Sequence, residues 1–318
     1  MGENRPRVSI GLPVHDGENY LAETLGSILV QTYSDFELII SDNASTDRTE
    51  EICRAYAARD GRIRYFRHEE NLGAAENFNR ALELSAGEYF KWAAHDDLCA
   101  PEYLARCVEI LDRELEVVLC YPKTRIIDGH GEFVEDYFDG FHLDSPKPHI
   151  RFRDVFRAPG LCNPVFGLMR ARILKRTALI GNYAASDRVL LGELALHGQF
   201  YEVPEYLFLR RGHPQRSLAA NVTDSEIAAW FDPATRGKVL LPRWRRLLEY
   251  LRAAKRAPLS QTERIRCYMQ VGRFVLSPRK LGGMAGDLLK VAKLVPRLFG
   301  KHISRSVSVD KNSLGRVA

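Results

Sequence analysis

Apolar and polar positions alternate in blocks along the first third of the chain. Residues 8–14 (VSIGLPV) form a short, nearly continuous apolar run, the pattern of a strand buried on both faces. Over Glu18 to Gln31 the spacing changes. Leu21, Leu25, Ile28 and Leu29 recur at helical intervals and so share one face. The strand and helix pair then repeats: 36–41 (FELIIS) with a helix at 47–59, 63–66 (IRYF) with a helix at 74–85, and EYFKWAA (88–94) with a helix at 101–113. This alternation predicts the α/β class, a mostly parallel sheet flanked by helices. Such sheets bind ligands beyond the carboxyl ends of their strands. The polar clusters of this region fall there: Pro13 to Glu18, Ser41 to Asp47, Asn71 to Gly73 and His95 to Asp97.

The stretch EYFKWAAHDDLCAPEYL (88–104) runs an aromatic strand into two adjacent carboxylates. Neighbouring acids repel, and a turn gains little from both unless a positive charge accompanies them; a metal ion is one such charge. The structural alternative is that one Asp caps the next helix. Pro101 is a favoured first-turn residue, which makes Ala100 or Cys99 the expected cap and leaves both acids in the loop. In SDNASTD (41–47), Ser45 or Thr46 suits a helix cap and Asp47 suits the helix dipole. Asp42 is not needed for either, and at a strand end it is placed to accept a hydrogen bond, for instance from a pyrimidine imide. NLGAAENFN (71–79) combines a turn glycine, Gly73, with a helix burying Ala75, Phe78, Ala81 and Leu82. Further on, Ser186 and Asp187 precede the run VLLGELALHG, where they serve either as cap and first-turn acid or as chemistry. Arg210, Arg211 and His213 follow in FLRRGHPQRS, a solvated basic loop or a ligand-covering one.

Charge divides the chain. Residues 233–318 hold 20 Lys and Arg against 4 acids, or +16, so residues 1–232 carry −11 of the overall +5. Segments 243–256 (RWRRLLEYLRAAKR) and 286–302 (GDLLKVAKLVPRLFGKH) place Leu, Val and Phe opposite Lys and Arg, with Trp244 and Phe299 as anchors and Pro296 as a break. A basic amphipathic helix of this kind lies on an anionic membrane surface, or else packs against the acidic body. Arg216 and Ser217 belong to the basic loop, and residues 304–318 read as a disordered tail. The six cysteines lack CxxC pairing and disulfide density, which points to buried thiols in a reducing, cytoplasmic setting. The first residues lack the long apolar core of a signal peptide, and no apolar run reaches about 18 residues, the length of a membrane span. The basic tail lacks a nucleic-acid recognition module, so nucleic acid is not an expected partner.

PVHDGENYL, SDNASTD, NLGAAENFNRAL and the strand ending in HDD resemble, in order and spacing, the nucleotide-binding half of the family 2 glycosyltransferases. The stretch 182–217 resembles that family's acceptor-side motif and the strand after it. The resemblance spans about 6–217 and implies a GT-A, Rossmann-like domain over 1–232. Its nucleotide half would span about 6–127 and its acceptor half about 128–217; the charge pattern, not the resemblance, adds a basic helical extension over 233–303. It implies an inverting transfer from a nucleoside-diphosphate sugar, UDP before dTDP, to a glycan or lipid-linked hydroxyl in cell-envelope polysaccharide synthesis. The enzyme would be cytoplasmic or peripheral on the inner membrane face.

Carried over residue by residue, Asp97 and Asp96 would hold Mn²⁺ or Mg²⁺, with His213 as a further ligand. Pro13, His15, Glu18, Asp42, Asn71, Asp96 and Arg211 would line the donor site, and Asp187 would be the base. Many relatives carry an Arg in the motif written here as AAENFN, so the base of the nucleotide is left open. A sugar nucleotidyltransferase would show a glycine-rich, Arg-containing loop after the first strand, which GLPVHDGEN is not. A non-catalytic sugar-nucleotide or carbohydrate-binding paralogue is the other alternative, set against the joint presence of Asp97 and Asp187.

Overall fold

A computed structural model describes residues 5–141, 143–215, 223–238, 240–276 and 280–289. Its first half follows the alternation. β1 (Val8–Val14) lies between β2 (Phe36–Asp42) and β4 (Tyr89–Trp92), and β2 pairs with β3 (Ile63–Arg67), all in parallel. The crossovers are α1 (Leu21–Leu29), α2 (Thr49–Ala57) and α3 (Ala74–Glu83). Side chains alternate across a strand, so β1 sends Val8, Ile10, Leu12 and Val14 into one core with Leu21, Leu25 and Ile28 of α1. On the opposite face of β4, Phe90 and Trp92 join Ala75 and Leu82 of α3 in a second core. Gly11 permits that close packing: a Cβ there would sit 2.7 Å from Phe90 and 2.9 Å from Ala81.

Beyond β4 the sheet becomes mixed. The elements are β5 (Leu98–Cys99), α4 (Tyr103–Arg113), β6 (Val117–Ile127), β7 (Phe133–Tyr137), α5 (Pro148–Arg157), β8 (Leu168–Arg170), α6 (Ala171–Leu174), α7 (Ser186–His197) and β9 (Gln199–Arg211). Strand order is β3-β2-β1-β4-β8-β6-β9-β5, with β7 on β6. The helix expected from Pro101 begins at Tyr103 instead, after Glu102 rather than after Cys99 or Ala100. Tertiary pairing overrides the local signal: Leu98 and Cys99 pair with Leu209 and Phe208 of β9, and the Ala100 and Pro101 carbonyls accept from Gln31 and Thr32.

The C-terminal helices are α8 (Asp224–Phe231), α9 (Pro242–Arg256) and α10 (Gln261–Val275), followed by a helix over 280–289. A third core of Phe152, Val189, Leu196, Tyr250, Ala254, Cys267 and Val271 joins α9 and α10 to α5 and α7. The Arg256 guanidinium grips both oxygens of buried Glu193 on α7 at 2.8 Å. For the segment 243–256, packing on the body is therefore what the structure shows. Of 286–302 only the first four residues are described, and Pro296, Phe299, the tail 304–318, Arg216 and Ser217 lie outside the described residues. Among the described residues no helix is long and apolar enough to cross a membrane.

Candidate active site

The loops after β1 and β2 are tied to each other. Ser45 Oγ accepts from the Asp16 N–H at 3.0 Å, Thr49 Oγ1 from Gly17 at 2.8 Å and an Asp47 oxygen from Glu18 at 3.0 Å. In return, Asp16 Oδ1 accepts from the Thr46 N–H and Glu18 Oε2 from that of Arg48. Neither Ser45 nor Thr46 caps α2, which begins after Arg48 without a side-chain cap; just ahead of it Asp47 Oδ1 accepts from the Thr49 N–H at 3.0 Å. Glu18 braces this loop with one oxygen. Pro13 is buried in β1 beside Ser41. His15 is exposed at the end of a polar chain: its Nε2 lies 3.1 Å from Asn71 Nδ2, and Asn71 Oδ1 accepts from Asn43 Nδ2 and the Gly73 N–H at 2.9 Å. Gly73, at φ 87°, makes the turn that brings Asn71 there.

Asp42 departs from its expected role. The residue is 0% exposed, and its two oxygens accept from the Ser45 N–H at 2.9 Å and the Tyr65 hydroxyl at 2.6 Å. Its carboxylate faces inward, because Tyr65 on β3 supplies the donor that a ligand was expected to provide.

The acid pair sits where β4 and β9 both end. Thr24 Oγ1 fixes the loop, 2.9 Å from the carbonyls of His95 and Asp97. Asp96 Oδ2 lies 2.8 Å from His213 Nε2. Burial opposes ionisation of Asp96, yet the His213 hydrogen bond and the influence of His95 hold its carboxyl below the usual value. Asp97 accepts the Arg211 N–H at 2.9 Å. Burial, with the adjacent Asp96, pushes Asp97 up to about 7 against the opposing influence of Arg210, the Arg211 N–H and Lys91.

His213 thus meets Asp96 directly, and its Nδ1 is buried with no hydrogen-bond partner among the described residues. Among the described residues no three His, Cys, Asp or Glu side chains converge on a metal position. The pair still fits a hard divalent ion: Mg²⁺ ordinarily takes one or two carboxylates and completes its shell with phosphates and water. The raised Asp97 marks a place short of positive charge.

Arg211 is a clamp. Its side chain is fully buried, donating to the Asp96 carbonyl at 3.0 Å, the Gly129 carbonyl at 3.3 Å and Glu23 Oε2 at 2.6 Å, and it lies 4.7 Å over the Tyr20 ring. These bonds leave it no face toward a diphosphate, contrary to the expectation. Arg211→Ala should therefore lower the free energy of unfolding by about 3 kcal/mol, as loss of a buried hydrogen-bonded charge does. Urea denaturation measures this; a variant of unchanged stability with weakened donor binding would restore the direct-contact reading.

Arg210 sits on β9 next to Arg211 with different partners. It bonds Asn163 Oδ1 and lies within electrostatic reach of Asp97, Asp139 and Cys162. Asp139 is buried, which pushes its carboxyl up to about 6 despite the Thr124 hydroxyl at 2.7 Å. Cys162 feels both Arg210 and Asp187, and burial with the Asp187 charge pushes its thiol well up. Asp187 itself is half-buried in the first turn of α7, its Oδ1 2.8 Å from the Arg188 N–H. Sequence reasoning gave no role to Asn43, Asp139 or Asn163; the only available signal was polar residues in apolar surroundings.

A mixed sheet flanked by helices, with an acid pair in the loop after β4, is an arrangement that known structures share. Staphylococcus aureus TarS 1–349 in complex with UDP-GlcNAc superposes with a TM-score of 0.62 at 16% identity, over 89% of this chain and 79% of that one. The Pyrobaculum calidifontis mannosyltransferase in complex with GDP-Man and Mn²⁺ gives 0.53 at 18%, over 96% and 81%. The fold is GT-A. The profile of glycosyl transferase family 2 matches residues 9–177, and the chain belongs to that family. An uncharacterised glycosyltransferase of Haemophilus influenzae is 28% identical over 71% of this chain and 72% of its own length. One of Rickettsia bellii is 36% identical over 48% of this chain. The chain spans only 20% to 38% of the Rickettsia relatives it matches.

Proposed function

We propose that the protein is an inverting, metal-dependent glycosyltransferase that moves a sugar from a nucleoside diphosphate to a hydroxyl of a glycan or lipid-linked acceptor in envelope polysaccharide synthesis. The observation that supports this is that Arg210 acts on Asp97 of the acid pair and also on Cys162, which in turn feels Asp187. Asp187 takes the proton of the acceptor hydroxyl as its oxygen bonds to the anomeric carbon from the face opposite the nucleotide. The bond from that carbon to the diphosphate oxygen breaks, and the nucleoside diphosphate leaves with the electron pair. A divalent cation held by Asp96 and Asp97 would neutralise charge on that leaving group. Arg210 adds a fixed positive charge beside Asp97, and His213 orients Asp96.

Asp42 was the basis for expecting UDP or dTDP, and its bonds to Ser45 and Tyr65 remove that support. A thermal-shift panel of UDP, dTDP and GDP with Mn²⁺ tests the donor site and reads the base. At least one diphosphate should raise Tm only with the metal; no shift with any of them would overturn the donor reading. The basic C-terminal helices support an acceptor at an anionic membrane surface.

A further inference from the structure

A small crevice of about 20 Å³ opens between α9, α10 and the helix over 280–289. Its floor is apolar, built from Tyr250, Phe274 and Met284, and its rim carries Arg243, Arg246 and Lys280. Arg243 is answered by Asp287, which takes both its backbone N–H and its guanidinium. Among the described residues Arg246 and Lys280 have no carboxylate partner, and Lys280 Nζ lies 4.8 Å over the Phe274 ring. Burial and the charges of Arg246, Arg188 and Arg243 all oppose protonation of Lys280. Crowding cations this way is unfavourable unless an anion joins them. Leu276 at the end of α10 and Leu281 and Leu288 on the 280–289 helix are exposed, so two of the elements that form the crevice also carry apolar surface. A free inorganic anion would leave that surface in water, whereas a phosphate carrying a hydrocarbon chain covers it.

We propose that this crevice binds the phosphate of an anionic lipid, with Arg246 and Lys280 on the headgroup and the exposed leucines against its chain. Arg188, which directly follows Asp187, lies near enough to act on Lys280, so the lipid phosphate would sit on the acceptor side of α7. This deepens the acceptor reading above, but lipid binding does not require sugar transfer.

The test uses the full chain with phosphatidylcholine vesicles, with and without phosphatidylglycerol, and a short-chain phosphatidic acid below its micellar concentration. Wild type should bind the anionic vesicles, and the soluble phosphatidic acid should raise its Tm where inorganic phosphate at the same concentration does not. Arg246→Gln with Lys280→Gln should weaken vesicle binding about thirtyfold, at about fivefold per cation near an anionic surface. Arg252→Gln with Lys255→Gln removes the same charge from α9 outside the crevice and should weaken it far less. Equal loss in both double variants would reduce the effect to diffuse charge and overturn the site. Equal response to inorganic phosphate would make it a free-anion site and overturn the lipid. Failure of sugar transfer with vesicle binding intact would sink the transferase reading and leave this one standing.

Discussion

Asp97→Asn should lower the rate of sugar transfer by about two to three orders of magnitude, the range for loss of one preorganised charge contact at a leaving group. The amide keeps an oxygen for the Arg211 N–H, so the loop between β4 and β5 stays in place while one negative charge disappears. Donor affinity in the presence of Mn²⁺ should fall in the same variant, and a chelator should bring wild type down to a similar level. Initial rates and calorimetric donor binding, each with and without chelator, measure both. Full activity of the variant in chelator would remove the metal from the mechanism and leave Asp97 as a hydrogen-bond acceptor for β9.

Asp187→Asn should separate binding from chemistry. Shape and the contact with the Arg188 N–H survive, but the proton acceptor is gone, so transfer should slow by about two to four orders of magnitude. Donor binding should be unchanged, because no donor-side loop touches this residue among the contacts described. Parallel loss of donor binding would show that Asp187 holds α7 in place instead.

The parallel half of the fold was legible because each strand and its crossover helix are neighbours in sequence, and burial writes its period locally. The mixed half was not: β5 is two residues long and exists only because β9 passes beside it more than a hundred residues later. Asp96 and Asp97 stood out as exceptions to local structural need, whereas Asp187 suited its helix and was singled out only by the resemblance. Arg210 and Arg211 were not separable, since consecutive residues of a strand point to opposite faces and a sequence does not say which face is the interior. The hydrogen bond of Asp42 was hidden for a related reason, its partner Tyr65 being 23 residues away on the next strand.

The clamp at the end of β9 also sets an order of events during synthesis. Arg211 reaches back to Glu23 across 188 residues and to Asp97 across 114. Until residue 211 has emerged, a nascent chain can pair its first four strands but holds two adjacent carboxylates with no cation from β9 beside them. Long-range closures of this kind come late. The surroundings of the acid pair are therefore completed by β9, and a fragment covering only 9–177 would carry the family's signature and Thr24 on the loop's carbonyls but nothing on the Asp97 carboxylate from β9.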